Sequence, residues 1–222
     1  TSNGNNLTHF SMENITCTNS GNYFAEGIRL ENSERNRFYD FSVTNIDALS
    51  SGVNTEVTSI RLTANAHHNS FDQMHFSNIR NQGLFMSGIT LDGTDNNLTN
   101  SRFENGTAGS YDAIPAMLGS GGVISNVTFY DFQGGTSPFG YGVGILIWPD
   151  GPLEVSDVTL DDYTNTDEVK GITVGINTGT QARLSNIRIS NLSAASVLGV
   201  HAYGFDNDAI ISDSIFYDDF TQ

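Results

Sequence analysis

Basic residues are scarce in this chain of 222 residues. Eight arginines and one lysine, Lys170, stand against 25 acidic residues, which gives a formal net charge of −16. A surface of that sign repels nucleic acids and anionic lipids. The sequence also contains no apolar run near the length of about 18 residues that a membrane-spanning helix needs. We therefore expect neither nucleic-acid binding nor membrane insertion.

Cysteine and proline are rare as well, with one and four residues. The single cysteine, Cys17, excludes an intrachain disulfide, and because no basic residue adjoins it in the sequence we expect a buried structural thiol rather than a nucleophile. Apolar residues make up only 37% of the chain. Glycine, at 23 residues, is abundant together with Asn, Ser, Thr and Asp, and this composition is typical of a chain with many turns.

One apolar pattern is written eight times along the chain. Its clearest copy is NSFDQMHFSNI at residues 69–79, in which Phe71, Met74, Phe76 and Ile79 occupy offsets 0, +3, +5 and +8. The copies begin at residues 7, 38, 71, 98, 124, 155, 184 and 211, with a mean period of about 29 residues, and the copy at 98 is the weaker one. A fixed period of this size predicts a repeat architecture.

The repeat unit predicts β-strands. Its two-residue alternation and its β-branched and aromatic residues are typical of a strand with one buried face, and long helical stripes are absent. A second short strand follows in each unit, as in GIRL (27–30) and GITL (88–91), with AIPA (113–116) as a degraded copy. Strand, turn, strand and variable loop, repeated about eight times, predict a parallel β-solenoid.

Polar columns accompany the apolar ones. Offset +7 is occupied by Asn14, Asn45, Asn78, Asn105, Asp131, Asp162, Asn191 and Asp218. Asn tolerates the left-handed conformation that a bend between strands requires, and amides stacked about 4.8 Å apart can hydrogen-bond along the stack. We therefore predict an Asn/Asp ladder. In the first four units a further Asn stands two residues before the copy begins, at Asn5, Asn36, Asn69 and Asn96.

These motifs resemble the right-handed parallel β-helix, or pectin-lyase-like, superfamily, whose repeats read N-x-φ-x-x-φ-x-φ-x-N-φ followed by G-I-x-L, where φ is apolar. The resemblance covers residues 5–220 and implies an all-β, right-handed parallel β-helix. The uninterrupted period predicts a single domain over residues 1–222. We expect this domain to be part of a longer chain or of a stacked assembly. The superfamily contains lyases, hydrolases, viral tailspikes and adhesins, so that the fold alone does not decide the function.

The second strand suggests a glycan-binding surface. Among its outward residues, Trp148 and Tyr203 are predicted two coils apart, about 10 Å, with Gly175 between them. Sugar rings stack on aromatic faces, so the three residues predict a slot for a polysaccharide. The alternative is that the two aromatic side chains pack beneath neighbouring loops.

Three further groups of residues are candidates for chemistry. Arg29 and Arg61 are predicted on adjacent coils with Glu31 beside them, as a catalytic uronate clamp or as a solvated charge cluster. Asp92 and Asp95 lie in a turn that suits a calcium ion or an ordinary Asx turn, and we expect no other cofactor. The histidines at 67 and 68 are predicted in a surface loop, and His9, His75 and His201 are predicted to be isolated outward residues.

Two classes of function follow. The Gly-His-Gly and Arg-x-Lys motifs of polygalacturonases are missing, and basic residues for a lyase are few. We therefore expect a fibre, spike or adhesin segment at the cell or virion surface, or otherwise extracellular, that binds a glycan or a copy of itself by stacking or trimerisation. The alternative is a polysaccharide lyase or glycoside hydrolase acting on an acidic polysaccharide.

Overall fold

The computed structural model describes residues 4–18, 24–48, 56–82, 85–109, 113–118, 121–135, 141–147, 152–175, 181–203 and 208–216. These residues form strands and the turns between them. In chain order the strands are β1 (Asn6–Cys17), β2 (Phe24–Leu30), β3 (Arg37–Ala48), β4 (Glu56–Leu62), β5 (Ser70–Asn81), β6 (Phe85–Leu91), β7 (Asn96–Ala108), β8 (Ala113–Leu118), β9 (Gly122–Gln133), β10 (Tyr141–Ile147), β11 (Leu153–Thr164), β12 (Glu168–Gly175), β13 (Gln181–Ser193), β14 (Ser196–Tyr203), β15 (Asp208–Ser212) and β16 (Ile215–Phe216).

Long and short strands alternate along the chain and build two parallel sheets. The long strands pair in the order β1-β3-β5-β7-β9-β11-β13-β15, with β16 also paired to β13, and the short strands pair in the order β2-β4-β6-β8-β10-β12-β14. Each turn of the chain therefore adds one strand to each sheet. The predicted parallel β-solenoid with about 29 residues per turn is confirmed.

The predicted register of the long strands is confirmed as well. Leu7, Phe38 and Phe71 lie opposite one another in successive strands, and the five later copies continue the same column to Ile211. The predicted count of eight coils is slightly too high. Seven coils contribute to both sheets, whereas the described part of the eighth contributes only β15 and β16 to the long sheet.

The core consists of apolar columns between the two sheets. Stacked phenylalanines fill much of it: the ring centroids of Phe38 and Phe71 lie 4.9 Å apart, and those of Phe76 and Phe103 lie 5.3 Å apart. Both distances are close to the spacing of about 4.8 Å between strands. Cys17, at the end of β1, is half-buried and packs against this core, so that its burial is less complete than predicted.

One short strand was misaligned in the sequence prediction. Ala116 lies opposite Ile89 and Met117 lies opposite Thr90, so the copy of GITL is residues 115–118 and not AIPA (113–116). Pro115 therefore faces Gly88, where an added Cβ would lie 2.4 Å from the Pro115 oxygen. The close approach explains why glycine precedes the apolar pair of β6.

The predicted Asn/Asp column forms a corner of the coil. Its seven described members, Asn14 to Asn191, all have φ between 55° and 62°; the eighth, Asp218, lies outside the described residues. Amide Nδ2 groups donate to the Oδ1 of the preceding coil from Asn45 to Asn14 (2.9 Å), from Asn78 to Asn45 (3.0 Å) and from Asn105 to Asn78 (3.2 Å). The bend thus runs through every described coil, but the amide chain is shorter than predicted because the Asp131 and Asp162 carboxylates cannot donate.

Asp162 is the member of this corner whose ionised carboxyl group is electrostatically unfavourable. Burial raises its pKa above the usual value, and the nearby charges of Asp131 and Asp161 raise it further. A carboxyl group whose pKa is higher in the folded than in the unfolded state destabilises the fold where it is ionised. The penalty is absent below the unfolded pKa of about 3.9 and is complete above the folded pKa.

The Asp162→Asn variant should therefore be more stable than the parent chain at pH 7, by about 0.5 to 1 kcal/mol, since the half-exposed corner is screened by solvent. The gain should vanish when urea unfolding is repeated below pH 4, and Asp213→Asn, at an exposed corner with φ of 50°, serves as the control for removal of one charge. A gain that stays constant with pH would contradict the electrostatic explanation.

A second corner, at offset +2, was missed by the sequence analysis. All eight residues of this column have φ between 50° and 56°: His9, Asp40, Gln73, Asn100, Asn126, Asp157, Asn186 and Asp213. Side chains again connect the coils, for example Asn126 Nδ2 to Asn100 Oδ1 at 2.8 Å and Asn186 Nδ2 to Asp157 Oδ1 at 2.5 Å. Six of the eight residues are Asn or Asp, which is the signal that would have predicted it.

The third polar column lies inside the solenoid. Asn36, Asn69 and Asn96 are at most 2% exposed. Asn36 Nδ2 donates to Asn69 Oδ1 at 3.0 Å, and Asn69 Nδ2 donates to Asn96 Oδ1 at 3.1 Å. The same oxygens accept the backbone N–H of the preceding Asn. The column ends opposite Gly122, because a Cβ there would lie 2.0 Å from the Asn96 carbonyl oxygen.

Candidate functional site

One concave surface among the described residues is a trough on the long sheet, on the N-terminal side of the offset +2 corner. It consists of two adjoining cavities of about 420 and 300 Å³ that share Glu154. Both are at the low end of the volumes of about 300 to 1,000 Å³ that ligand sites occupy. We call the pair the serine trough.

Strand register builds the trough from repeated positions. One wall follows a single column across five coils: Asn97, Val123, Glu154, Arg183 and Ile210. The floor of the smaller cavity contains Ser156, Ser185 and Ser212, from the column two residues further along each strand. Ser125 precedes them in that column. Four steps of about 4.8 Å make the trough about 19 Å long, parallel to the solenoid axis. Small side chains beside larger ones produce the concavity.

The trough carries polar groups along its length. Ser156 Oγ donates to Ser125 Oγ at 3.1 Å, and such hydroxyls both donate and accept hydrogen bonds. Glu154 adds a carboxylate acceptor and Arg183 a guanidinium donor in the next coil. This arrangement suits a hydroxyl-rich, extended ligand.

His68 and Asp95 lie at one end of the trough. Their side chains approach to 3.4 Å between Nδ1 and Oδ2. The neighbouring His67 accepts a hydrogen bond from the Thr94 backbone N–H at its Nδ1, at 3.0 Å. The two histidines therefore hold the turn that contains Asp95, in keeping with their predicted place in a surface loop.

The calcium candidates Asp92 and Asp95 lie in that turn, and both are exposed. Asp95 has φ of 56°, and the Asp92 carbonyl accepts a hydrogen bond from Asn96 Nδ2 at 3.0 Å. In the described ranges no three His, Cys, Asp or Glu side chains come together as a metal site. Calcium binding by this turn stays a prediction.

Arg29 and Arg61 lie side by side on adjacent coils, as predicted. Arg29 contacts Glu31, through Nε at 2.7 Å and through Nη2, and the hydrogen bond to Glu31 raises the pKa of Arg29. Arg61 Nη1 lies 2.7 Å from Glu56 and 3.6 Å from Glu26, which also contacts Arg29. Three carboxylates thus surround the two guanidinium groups, and a uronate would have to compete with them.

The predicted aromatic slot falls mostly outside the described residues. Gly175 and Tyr203 lie opposite each other in β12 and β14, in the predicted register, and Gly175 is buried. Trp148 and the side chain of Tyr203 lie outside the description. Glycan stacking on this slot stays a prediction.

One polar cluster was missed by the sequence analysis. It lies on the flat face of the long sheet between the two corners and contains His75, Arg102, Glu104 and Tyr130. His75 Nε2 lies 2.9 Å from Glu104 Oε1, so the prediction that His75 is isolated was wrong. Strand register, which places His75 opposite Arg102 and Glu104 opposite Tyr130, was the available signal.

The chain is a parallel β-helix, which is the class that the sheets, the register and the asparagine columns define. Comparison with protein-family models, with curated proteins and with solved structures gave no match to it. No helix long and apolar enough to cross a bilayer occurs in the described ranges.

Proposed function

We propose that the chain is a segment of an extracellular or virion-surface fibre, spike or adhesin that binds a glycan in the serine trough. The observation that carries the proposal is the trough itself, two adjoining open cavities along about 19 Å, the smaller of which has stacked hydroxyl groups in its floor. A solenoid presents such a repeated surface along its whole length. The ligand is a polysaccharide chain lying parallel to the axis.

The chemistry of the lining supports a carbohydrate. Sugar hydroxyls can form hydrogen bonds with every kind of polar group in the lining: the serine hydroxyls, the Asn97 amide, the Glu154 carboxylate and the Arg183 guanidinium. The open shape supports binding in preference to catalysis, because hydrolytic and lyase chemistry is favoured by a site that excludes water. Several weak contacts along one chain add up through multivalency.

The test is a retention assay of the purified chain on immobilised neutral and uronate-containing polysaccharides, with a parallel assay of turnover. We expect retention without product. Ser156→Leu fills the floor of the trough from an outward, half-buried position and should weaken retention at least tenfold, about 1.4 kcal/mol. Thr159→Leu is the matched control, since it lies on the same strand beyond the Asp157 corner and should bind like the parent.

Three results would overturn the proposal. Equal loss in both variants would mean that added apolar surface, and not the trough, explains the effect. Retention that survives Ser156→Leu would place the ligand elsewhere. Formation of unsaturated uronate or of reducing ends would instead favour the alternative function, a polysaccharide lyase or glycoside hydrolase acting on an acidic polysaccharide.

A further inference from the structure

The missed cluster on the flat face contains an arginine that is held in place from two sides. Arg102 Nε donates to Glu104 Oε2 at 2.5 Å, and its Cζ lies 5.5 Å from the centroid of the Tyr130 ring. Each of these residues projects from a strand of the long sheet, in β7 or β9. The guanidinium group is therefore fixed in orientation as well as in position.

Glu104 is bonded through both of its carboxylate oxygens, to His75 and to Arg102. Although burial alone would raise its pKa, the hydrogen bonds from His75 and Arg102 hold the pKa of Glu104 below the usual value. Its side chain is 20% exposed, whereas those of Arg102 and His75 are 50% and 48% exposed. The carboxylate thus acts as a support beneath two exposed nitrogen-bearing groups.

The outer edge of Arg102 is available to a ligand. Its described hydrogen bond uses Nε, so the two terminal nitrogens remain as a planar pair of donors. In contrast, Arg29, Arg35 and Arg61 each place a terminal nitrogen against a carboxylate. An arginine that is already immobilised loses less side-chain entropy when it binds.

The neighbouring coils add favourable groups. Thr128 follows Arg102 in the same column and supplies a hydroxyl, and Tyr130 is 37% exposed, leaving ring surface for an apolar group. The next acidic side chain along the column of Tyr130 is Asp161, whose Oδ1 already accepts hydrogen bonds from Ser190 and Asn191 at 2.7 and 2.8 Å. The Asp161 carboxylate, two coils from Arg102, therefore has hydrogen-bond donors of its own.

We propose that Arg102, seated on Tyr130 and held by Glu104, binds an oxyanion group, a carboxylate or a sulfate ester, carried by a sugar unit that packs its apolar face on Tyr130. The paired terminal nitrogens match two oxygens of such a group. A planar guanidinium forms this bidentate contact, whereas the ammonium group of a lysine does not. The site is separate from the serine trough, and its existence does not depend on glycan binding there.

The experiment is an NMR titration of the folded chain, following the Arg102 Nε–Hε signal, with glucuronate, glucose 6-sulfate and glucose as probes. We expect at least one of the two anions to shift the signal to saturation with a dissociation constant near 1 mM, a binding free energy of about −4 kcal/mol. Glucose should cause no saturable shift. The anion that saturates identifies the oxyanion. Saturation by neither anion, or equally by glucose, would overturn the proposal.

Variants assign the effect to this site. Arg102→Gln should weaken anion binding at least tenfold, while Arg37→Gln, which removes an exposed arginine from the strand of another coil, should leave it unchanged. Tyr130→Ala should weaken binding severalfold and Tyr130→Phe should restore it, because the ring and not the hydroxyl supports the guanidinium. Equal losses of anion affinity in the Arg102 and Arg37 variants would mean that net charge alone explains the binding. They would contradict a specific site at Arg102.

Discussion

Replacing Asn69 with alanine should destabilise the solenoid by about 3 to 5 kcal/mol, a large part of the 5 to 15 kcal/mol that a domain of ordinary stability has. Asn69 is fully buried at the middle of the internal ladder. Its Oδ1 accepts from the Asn36 backbone N–H at 3.1 Å and from Asn36 Nδ2 at 3.0 Å, and its Nδ2 donates to the Ser33 carbonyl and to Asn96 Oδ1. Alanine removes all four contacts at once and admits no solvent to replace them.

The four contacts do not contribute equally. Asn36 Nδ2 also donates to Ser33 Oγ at 2.6 Å, and the Ser33 carbonyl also accepts from the His67 N–H at 3.0 Å. The backbone N–H of Asn36 donates to Asn69 Oδ1 and loses this acceptor in the variant. A buried N–H group without an acceptor costs about 1 to 3 kcal/mol by itself. The remaining contacts account for the rest.

Urea unfolding followed by circular dichroism measures the effect, with Asn78→Gly as the matched control. Asn78 also belongs to an amide column, but it is half-exposed and its φ of 56° suits glycine. The control should lose no more than about 1 kcal/mol. Similar losses in the two variants would show that burial of the internal column adds nothing to its strength.

The sequence predicted the architecture because the repeat has a strict side-chain period. Apolar residues at offsets 0, +3, +5 and +8 can be buried together only if successive copies pair in parallel, and the strands do so from Leu7 to Ile211. The error in β8 arose because the apolar pair there is Ala116 and Leu118, while Ile114 and Ala116 form a similar pair two residues earlier. The second corner was missed because His9 and Gln73 interrupt its run of Asn and Asp, although all eight residues share a positive φ.

The candidate site was less predictable from the sequence. The floor of the trough consists of serines, which are common in turns and attract attention only when register stacks Ser125, Ser156 and Ser185 in one column. Arg102 and Tyr130 lie 28 positions apart in the sequence and meet only because consecutive coils are adjacent. Adjacent placement of Arg29 and Arg61 with Glu31 nearby was predictable, but the contacts of Glu26 and Glu56 depended on side-chain orientation.

Gly106→Ala should destabilise the chain by about 2 to 3 kcal/mol, because an added Cβ would overpack the core. Gly106 occupies offset +8, where the template has Ile, and it lies between Ile79 and Phe132 in its column. The added atom would lie 2.4 Å from two atoms of the Phe132 ring and 2.6 Å from Met86 Cε. Both of these side chains are at most 1% exposed, so neither can move into solvent.

The fourth copy has glycine in place of the template's Ile because Gly106 leaves room for the ring of Phe132 in the next coil. A double-mutant cycle tests this pairing. Phe132→Leu alone should destabilise by about 1 to 2 kcal/mol through lost packing, and the double variant should lose at least about 1 kcal/mol less than the sum of the two single variants. The same cycle with the distant ring of Phe38, as Phe38→Leu, should be additive within about 0.5 kcal/mol. Additivity in both cycles would mean that Gly106 is required for its backbone and not for the room that it leaves to Phe132.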